Sequence, residues 1–104
     1  MSLLSGRWLR RWVLLRRRML LKMGQRVGVH HIWLTGSVAR GDARWWSDVD
    51  LLIESDNSFD VLLLGNWWGK VLGRRIDVLY PTLVAAQGSE FSTSVWHDAI
   101  PLHD

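Results

Sequence analysis

Three aspartates carry the chemistry open to this sequence. Asp48 and Asp50 stand two apart at the head of the apolar run Val49-Asp50-Leu51-Leu52-Ile53. Residues two apart on a strand share a face, so both carboxylates point one way while Val49, Leu51 and Ile53 turn to the core. Two carboxylates a few ångströms apart repel by about 4 kcal/mol at an effective dielectric of roughly 20. A divalent cation relieves that repulsion, and all-oxygen ligation suits Mg²⁺ or Mn²⁺. Asp77 opens a second apolar run, Arg75-Ile76-Asp77-Val78-Leu79, and lies beside Asp50 if the two strands are neighbours. Phosphoryl and nucleotidyl transfer use two metal ions on such a cluster to clamp the attacking and leaving oxygens. Asp77 is also a candidate acceptor for the proton of an incoming hydroxyl. Upstream, Gly36-Ser37 sits where a strand meets a helix. Glycine admits close backbone approach, and free N–H groups at a helix start attract phosphate. The Ser37 hydroxyl adds a donor.

Each feature alone has a plainer reading. Gly-Ser occurs in many turns, Asp48 suits a turn or a helix cap, and Asp77 suits an ion pair with Arg74 or Arg75. Together, at this spacing and on these strands, they favour a metal site.

The elements that must position them follow from periodicity. Residues from Leu3 to about Met23 read as one helix, with Leu4, Trp8, Val13 or Leu15, and Met19 or Met23 recurring at helical intervals, until Gly24 and Gly28 break the pattern. Val29–Thr35 is a strand, rich in β-branched and aromatic residues. A short helix from Val38 to about Trp45 follows, then a strand over Val49–Ile53. A helix capped by Ser58 runs through Val61–Leu64 and Trp67–Val71 to Gly73. Arg75–Tyr80 is a third strand, and weaker helices span Thr82–Gln87 and Phe91–Ala99. Such alternation predicts an α/β or α+β layer, strands covered by helices on at least one face.

At 104 residues, 48% hydrophobic and 22% charged, the chain reads as a single globular domain over 1–104. Without cysteine, thiolate metal sites and disulfides are excluded, and a reducing, cytoplasmic setting fits. The net charge of +3 hides an asymmetry. Segment 1–26 carries Arg7, Arg10, Arg11, Arg16, Arg17, Arg18, Lys22 and Arg26 and no acid, while all ten acids lie beyond it. That points to an anionic or acidic partner, or to an amphipathic helix packing its apolar stripe on the domain; the packing reading is favoured. Apolar runs of at most four residues there are too short for a signal peptide or a membrane span. His30 and His31, as strand neighbours, point to opposite sides and cannot share a metal; His97 and His103 read as surface. Of Trp67 and Trp68, at least one is expected to be exposed or in an interface.

The block from Gly36 to Leu51 also resembles the signature of the DNA polymerase β-type nucleotidyltransferase superfamily in its minimal form. That pattern is Gly-Ser, then Ala-Arg-Gly, then Ser-Asp-x-Asp-Leu after a gap of five residues. It is met here at Gly36, Ser37, Ala39, Arg40, Gly41, Ser47, Asp48, Asp50 and Leu51. The likeness runs from Val29 to about Leu102 and leaves the basic helix of 1–26 without a counterpart. It implies the α+β nucleotidyltransferase fold, a small mixed sheet flanked by helices. It further implies Gly36, Ser37, Arg40 and Ser47 at the nucleotide, two Mg²⁺ ions on Asp48, Asp50 and Asp77, and ATP as substrate. Arg44 is an alternative to Arg40 at the phosphates. Domains of this kind pair with HEPN toxins as antitoxins, and similar ones place AMP on a toxin tyrosine. Thr35 stands where an aromatic residue often precedes Gly-Ser, and Trp45-Trp46 within the loop bears on nucleotide access.

Three functions are therefore in play. The leading one is a Mg²⁺-dependent transferase modifying a toxin hydroxyl in a hetero-oligomer. The second is a non-catalytic antitoxin that neutralises its partner stoichiometrically through exposed tryptophans and the basic helix. Nucleic-acid binding through Arg7–Arg18 ranks last; it predicts a steep fall of affinity with salt.

Overall fold

Two central strands organise the molecule. A computed structural model of the chain describes residues 2–44, 46–55 and 61–103. Strand β1 (Val29–Thr35) pairs antiparallel with β2 (Val49–Ser55), in a register that sets Thr35 opposite Asp50. Between them lies a short helix, α3 (Gly36–Arg40), closed by Gly41. From β2 the chain crosses through α4 (Val61–Leu72) to β3 (Ile76–Leu79), which pairs parallel with β2. Helices α5 (Pro81–Ala86) and α6 (Ser89–Asp98) follow, then a two-residue strand β4 (Ile100–Pro101) on the far side of β1. The sheet order is β3-β2-β1-β4, with β3 at one edge. A mixed sheet flanked by helices is the architecture expected of the sequence.

The two faces of the sheet differ. Ile32, Leu34, Val49, Leu51 and Ile53 are buried in the main core with Leu9, Val13, Leu20, Leu64 and Trp68. The opposite face carries a smaller cluster in which Leu52 packs with Val84 of α5 and Val95 of α6, beside Trp33 and Leu79. Leu52 and Asp50 share that second face by strand alternation. Its hydrophobic cover lies toward Leu52, and the Asp50 end opens on a cleft where Ser37, Arg40 and Asp98 join Leu79 and Phe91.

The N-terminal segment departs from the single helix read from periodicity. It forms α1 (Ser2–Leu15) and α2 (Arg17–Gln25), separated at Arg16, whose N–H bonds to Val13 three residues back at 3.0 Å. The two helices serve different neighbours: α1 packs on α3, and α2 packs on β1 and α4. The buried stripe is Leu9, Val13, Leu20 and Gly24. Trp8, Leu15 and Met19 are instead 55%, 78% and 52% exposed. Apolar residues occur on more than one face of this segment, so helical spacing alone fits either stripe. Gly24 lies inside α2 rather than ending it. The side chain of Leu4 and the Ser58 cap fall outside the described residues, as does Trp45.

Several polar groups of the segment cap other elements. Arg10 donates to the Ala39 carbonyl near the end of α3 at 3.3 Å, and Trp12 Nε1 to Leu72 at the end of α4 at 3.1 Å. These satisfy carbonyls that a helix end leaves without an internal partner. The Arg16 guanidinium lies 3.4 Å from the centre of the Trp12 ring. Trp68 is buried with its Nε1 donating to Leu20, whereas Trp67 is partly exposed. His103 is no bare surface residue: its Nδ1 accepts from the Ile32 N–H at 3.1 Å. No helix among the described residues is long and apolar enough to cross a membrane.

Candidate active site

The turn from β1 into α3 fixes the first half of the site. Thr35 is buried, and its hydroxyl donates to the Val95 carbonyl of α6 at 2.9 Å. Gly36 then adopts φ +74°, a left-handed conformation that side chains disfavour. A Cβ at Gly36 would collide with Oδ2 of Asp50. The bare backbone of the Gly-Ser turn is thus the wall against which the Asp50 carboxylate lies.

The parallel register of β2 and β3 fixes the second half. Asp50 is the direct partner of Asp77, with Leu52 opposite Leu79 two residues on. Side chains opposite one another across a pair leave the sheet on the same face, so Asp77 joins Asp50 rather than pointing away. Asp50 and Asp48 are half-buried and Asp77 is exposed. The Asp50 carboxyl is pushed up to about 6, first by burial, then by the charges of Asp77 and Asp48 and a carboxyl-to-carboxyl hydrogen bond with Asp77; Arg40 opposes the rise. Asp50 crowded by Asp77, with the charge of Asp48 added and too little positive charge nearby, is the kind of oxygen-rich, charge-strained pair that a hard divalent cation would relieve. Among the described residues, no group of three His, Cys, Asp or Glu side chains is placed to hold a metal ion, so Asp48, Asp50 and Asp77 do not stand together as a three-ligand site. Asp50 and Asp77 are in contact, and Asp48 is near enough for its charge to be felt.

A proton taken up more readily by the folded chain makes stability depend on pH. Because the Asp50 carboxyl sits near 6 when folded and near 3.8 in its ordinary state, the stability this group contributes is full below about 4 and is lost as pH rises through 6. With screening by the solvent that reaches this half-open group, the loss is about 1–2 kcal/mol. Thermal unfolding at pH 4.5 and 7.5 in EDTA should show that loss, against a background shared with an Asp50→Asn variant. Millimolar Mg²⁺ at pH 7.5 should restore it; a midpoint that ignores both pH and Mg²⁺ in the parent counts against a cation site.

The remaining residues singled out by sequence divide. Gly36, Ser37, Arg40 and Asp50 line one cleft of about 300 Å³, together with Phe91, Ser94 and Asp98 of α6. Arg40 is not idle there: it donates to Asp98 at 2.8 Å and to Asp42 at 3.2 Å, and these bonds, Asp98 first, raise its pKa. Ser47 stands outside that cleft. Its Oγ accepts from the Arg44 N–H at 2.8 Å and its own N–H donates back to the Arg44 carbonyl at 2.9 Å, closing the turn that delivers Asp48. Arg44 lies beside the exposed ring of Trp46, 5.5 Å from its centre. The α6 contribution was missed by sequence reasoning. Asp98 is 58 residues from Arg40, and no local spacing marks it.

Comparison with known proteins bears on this arrangement. A family model described as a nucleotidyltransferase domain matches residues 16–100. One solved structure, described as a minimal nucleotidyltransferase, is 29% identical, with 97% of this chain and 96% of that one covered and a TM-score of 0.68. A toxin–antitoxin structure with AMP-PNP is 17% identical, covering 83% of this chain and 71% of that one at a TM-score of 0.64. The toxin–antitoxin MntA–HepT is 16% identical, covering 85% and 69% at a TM-score of 0.57. At such identities these last two speak for the fold alone. No curated protein matches the chain significantly.

Proposed function

Since the chain belongs to the nucleotidyltransferase domain family, we propose that it moves AMP from ATP onto a hydroxyl, a tyrosine of a HEPN-type toxin, and so acts as an antitoxin. One observation carries the reading: Asp50 and Asp77 meet on one sheet face, with Asp48 close by, against a glycine turn that no side chain could share. Asp48, Asp50 and Asp77 would hold Mg²⁺, which when bound supplies the positive charge that offsets the carboxylates and the phosphates. Gly36 and Ser37 would line the triphosphate, and Arg40 would add charge there on leaving Asp98. Asp77, the exposed acid, would take the acceptor's proton as its oxygen bonds to the α-phosphorus. The bond from that phosphorus to the β-phosphate bridging oxygen breaks, and pyrophosphate leaves. The AMP-PNP of a structural neighbour supports a nucleotide as substrate, and the toxin–antitoxin neighbours support a toxin as partner.

The test is label transfer from ATP labelled at the α-phosphate to a HEPN-type toxin supplied with this chain. Transfer should require Mg²⁺, stop in EDTA, and place the label on a tyrosine. ATP binding with no label on any hydroxyl, while the toxin is still neutralised at a one-to-one ratio, replaces this reading with the stoichiometric one.

A further inference from the structure

Two clefts reach the carboxylates from different sides. The first, at Gly36, Ser37 and Asp50, is assigned above to the nucleotide. The second is larger, about 660 Å³, and opens on Asp48 and Asp77. Its other polar walls are Asn66 and Lys70 from α4, and Arg74 and Arg75 from the turn into β3. Lys70 and Arg75 are exposed; Arg74 Nη1 donates to the Ser47 carbonyl at 3.4 Å and so belongs partly to the loop.

Displacement at phosphorus sets the entering and leaving oxygens roughly in line on opposite sides. A nucleotide seated in the first cleft therefore leaves the second for the acceptor. The charge of that cleft selects the acceptor's kind, since three cations frame it and its two acids are those assigned to the metal. Beside it runs β3, the edge strand of the sheet, with β2 on one side and no strand on the other among the described residues. A free strand edge offers backbone donors and acceptors to an extended segment. Among the described residues lining the cleft none is aromatic, so it lacks the stacking platform on which single-stranded nucleic acid is usually held.

We propose that the second cleft is the acceptor site and takes an extended, acidic stretch of polypeptide along the free edge of β3. The reactive hydroxyl then lies at Asp77, and flanking carboxylates lie at Lys70 and Arg75. The assignment rests on the transferase reading for its orientation and adds the class of acceptor.

The experiment uses the full chain and three fluorescein-labelled probes of equal length: a peptide with glutamates around one tyrosine, its glutamine counterpart, and a single-stranded oligonucleotide. Anisotropy at low salt should show the glutamate peptide binding about tenfold tighter than the glutamine one, with the gap closing as salt rises. The K70E/R75E double variant, checked for a retained circular dichroism spectrum, should lose about tenfold, as expected for reversing two rim charges. Should that variant misfold, K70Q/R75Q should show a smaller loss in the same direction. Equal binding of the two peptides, or binding unmoved by either double variant, overturns the proposal. So does an oligonucleotide that binds tighter than the peptides through Lys70 and Arg75. Peptide binding is read without any transfer, which keeps the two readings apart. Lys70-dependent binding without label transfer sinks the transferase and spares the cleft. Transfer with equal KM for acidic and neutral acceptors does the reverse.

Discussion

Replacing Asp50 with asparagine is expected to yield a chain that is more heat-stable than the parent in EDTA at pH 7.5 and yet transfers label about 10³-fold more slowly or not at all. The two effects have one origin. Asp50 is the most crowded of the three acids, pressed by burial and by the charges of Asp77 and Asp48. An amide of the same shape removes that repulsion, so the metal-free fold gains. It also removes the ligand between the Gly-Ser turn and Asp77, and losing a charge aimed at the reacting phosphate costs at least 10²–10³ in rate by analogy with single electrostatic groups elsewhere, as an order of magnitude. The measurements are a thermal unfolding midpoint and the initial rate of transfer from α-labelled ATP. An asparagine variant that keeps the parent rate removes Asp50 from the reaction; one that unfolds earlier than the parent in EDTA removes the crowding argument.

Gly36→Ala should be damaging on both counts. The residue sits at φ +74°, where an alanine Cβ costs about 1–2 kcal/mol through its own backbone, and that Cβ also lands on the Asp50 carboxylate. The backbone of Asp50 is held on both sides by β1 and β3, so relief of the collision falls to its side chain, which must turn out of the place it takes beside Asp77. A total of about 2–3 kcal/mol, on the order of 10 °C in Tm for a domain of this size, is expected, with transfer lost because the displaced carboxylate no longer meets Asp77. Gly73→Ala separates strain from collision. It has φ +66° but no atom within 4 Å of a Cβ, and should cost only about 1 kcal/mol. Equal costs at the two glycines would mean that contact with Asp50 is unimportant.

Much of the site could be read before any coordinates because its parts are close in sequence. The bounds of β1 are those its β-branched run indicates, and Asp50 within β2 needs only strand alternation to be placed, whereas Asp48 precedes the strand and lines a different cleft. Asp77 needed one further step, the parallel crossover through α4 that makes β3 a neighbour of β2. Features that depend on distant contacts were beyond reach. Arg16 breaks the first helix because α1 and α2 pack on different partners. The buried stripe at Leu9 and Val13 competes with an equally periodic one through Trp8 and Leu15. β4 is two residues long and exists only because β1 offers an edge. Ser47, grouped by its motif with the nucleotide, is engaged in the turn before Asp48, and the ion pair of Arg40 with Asp98 joins residues with no common local pattern.

The attachment of α6 carries a mechanical consequence. It is moored to the Gly-Ser turn at two points, by Val95 to Thr35 immediately before Gly36 and by Asp98 to Arg40 at the end of α3. These moorings flank Gly36 and Ser37, so the turn and the helix form one lever. On that lever Phe91 lines the cleft beside the turn and Trp96 meets Trp33 of β1 edge-on, and both rings are partly exposed. A shift of α6 at those rings would reach the Gly-Ser turn through the two moorings, by a route that bypasses the main core.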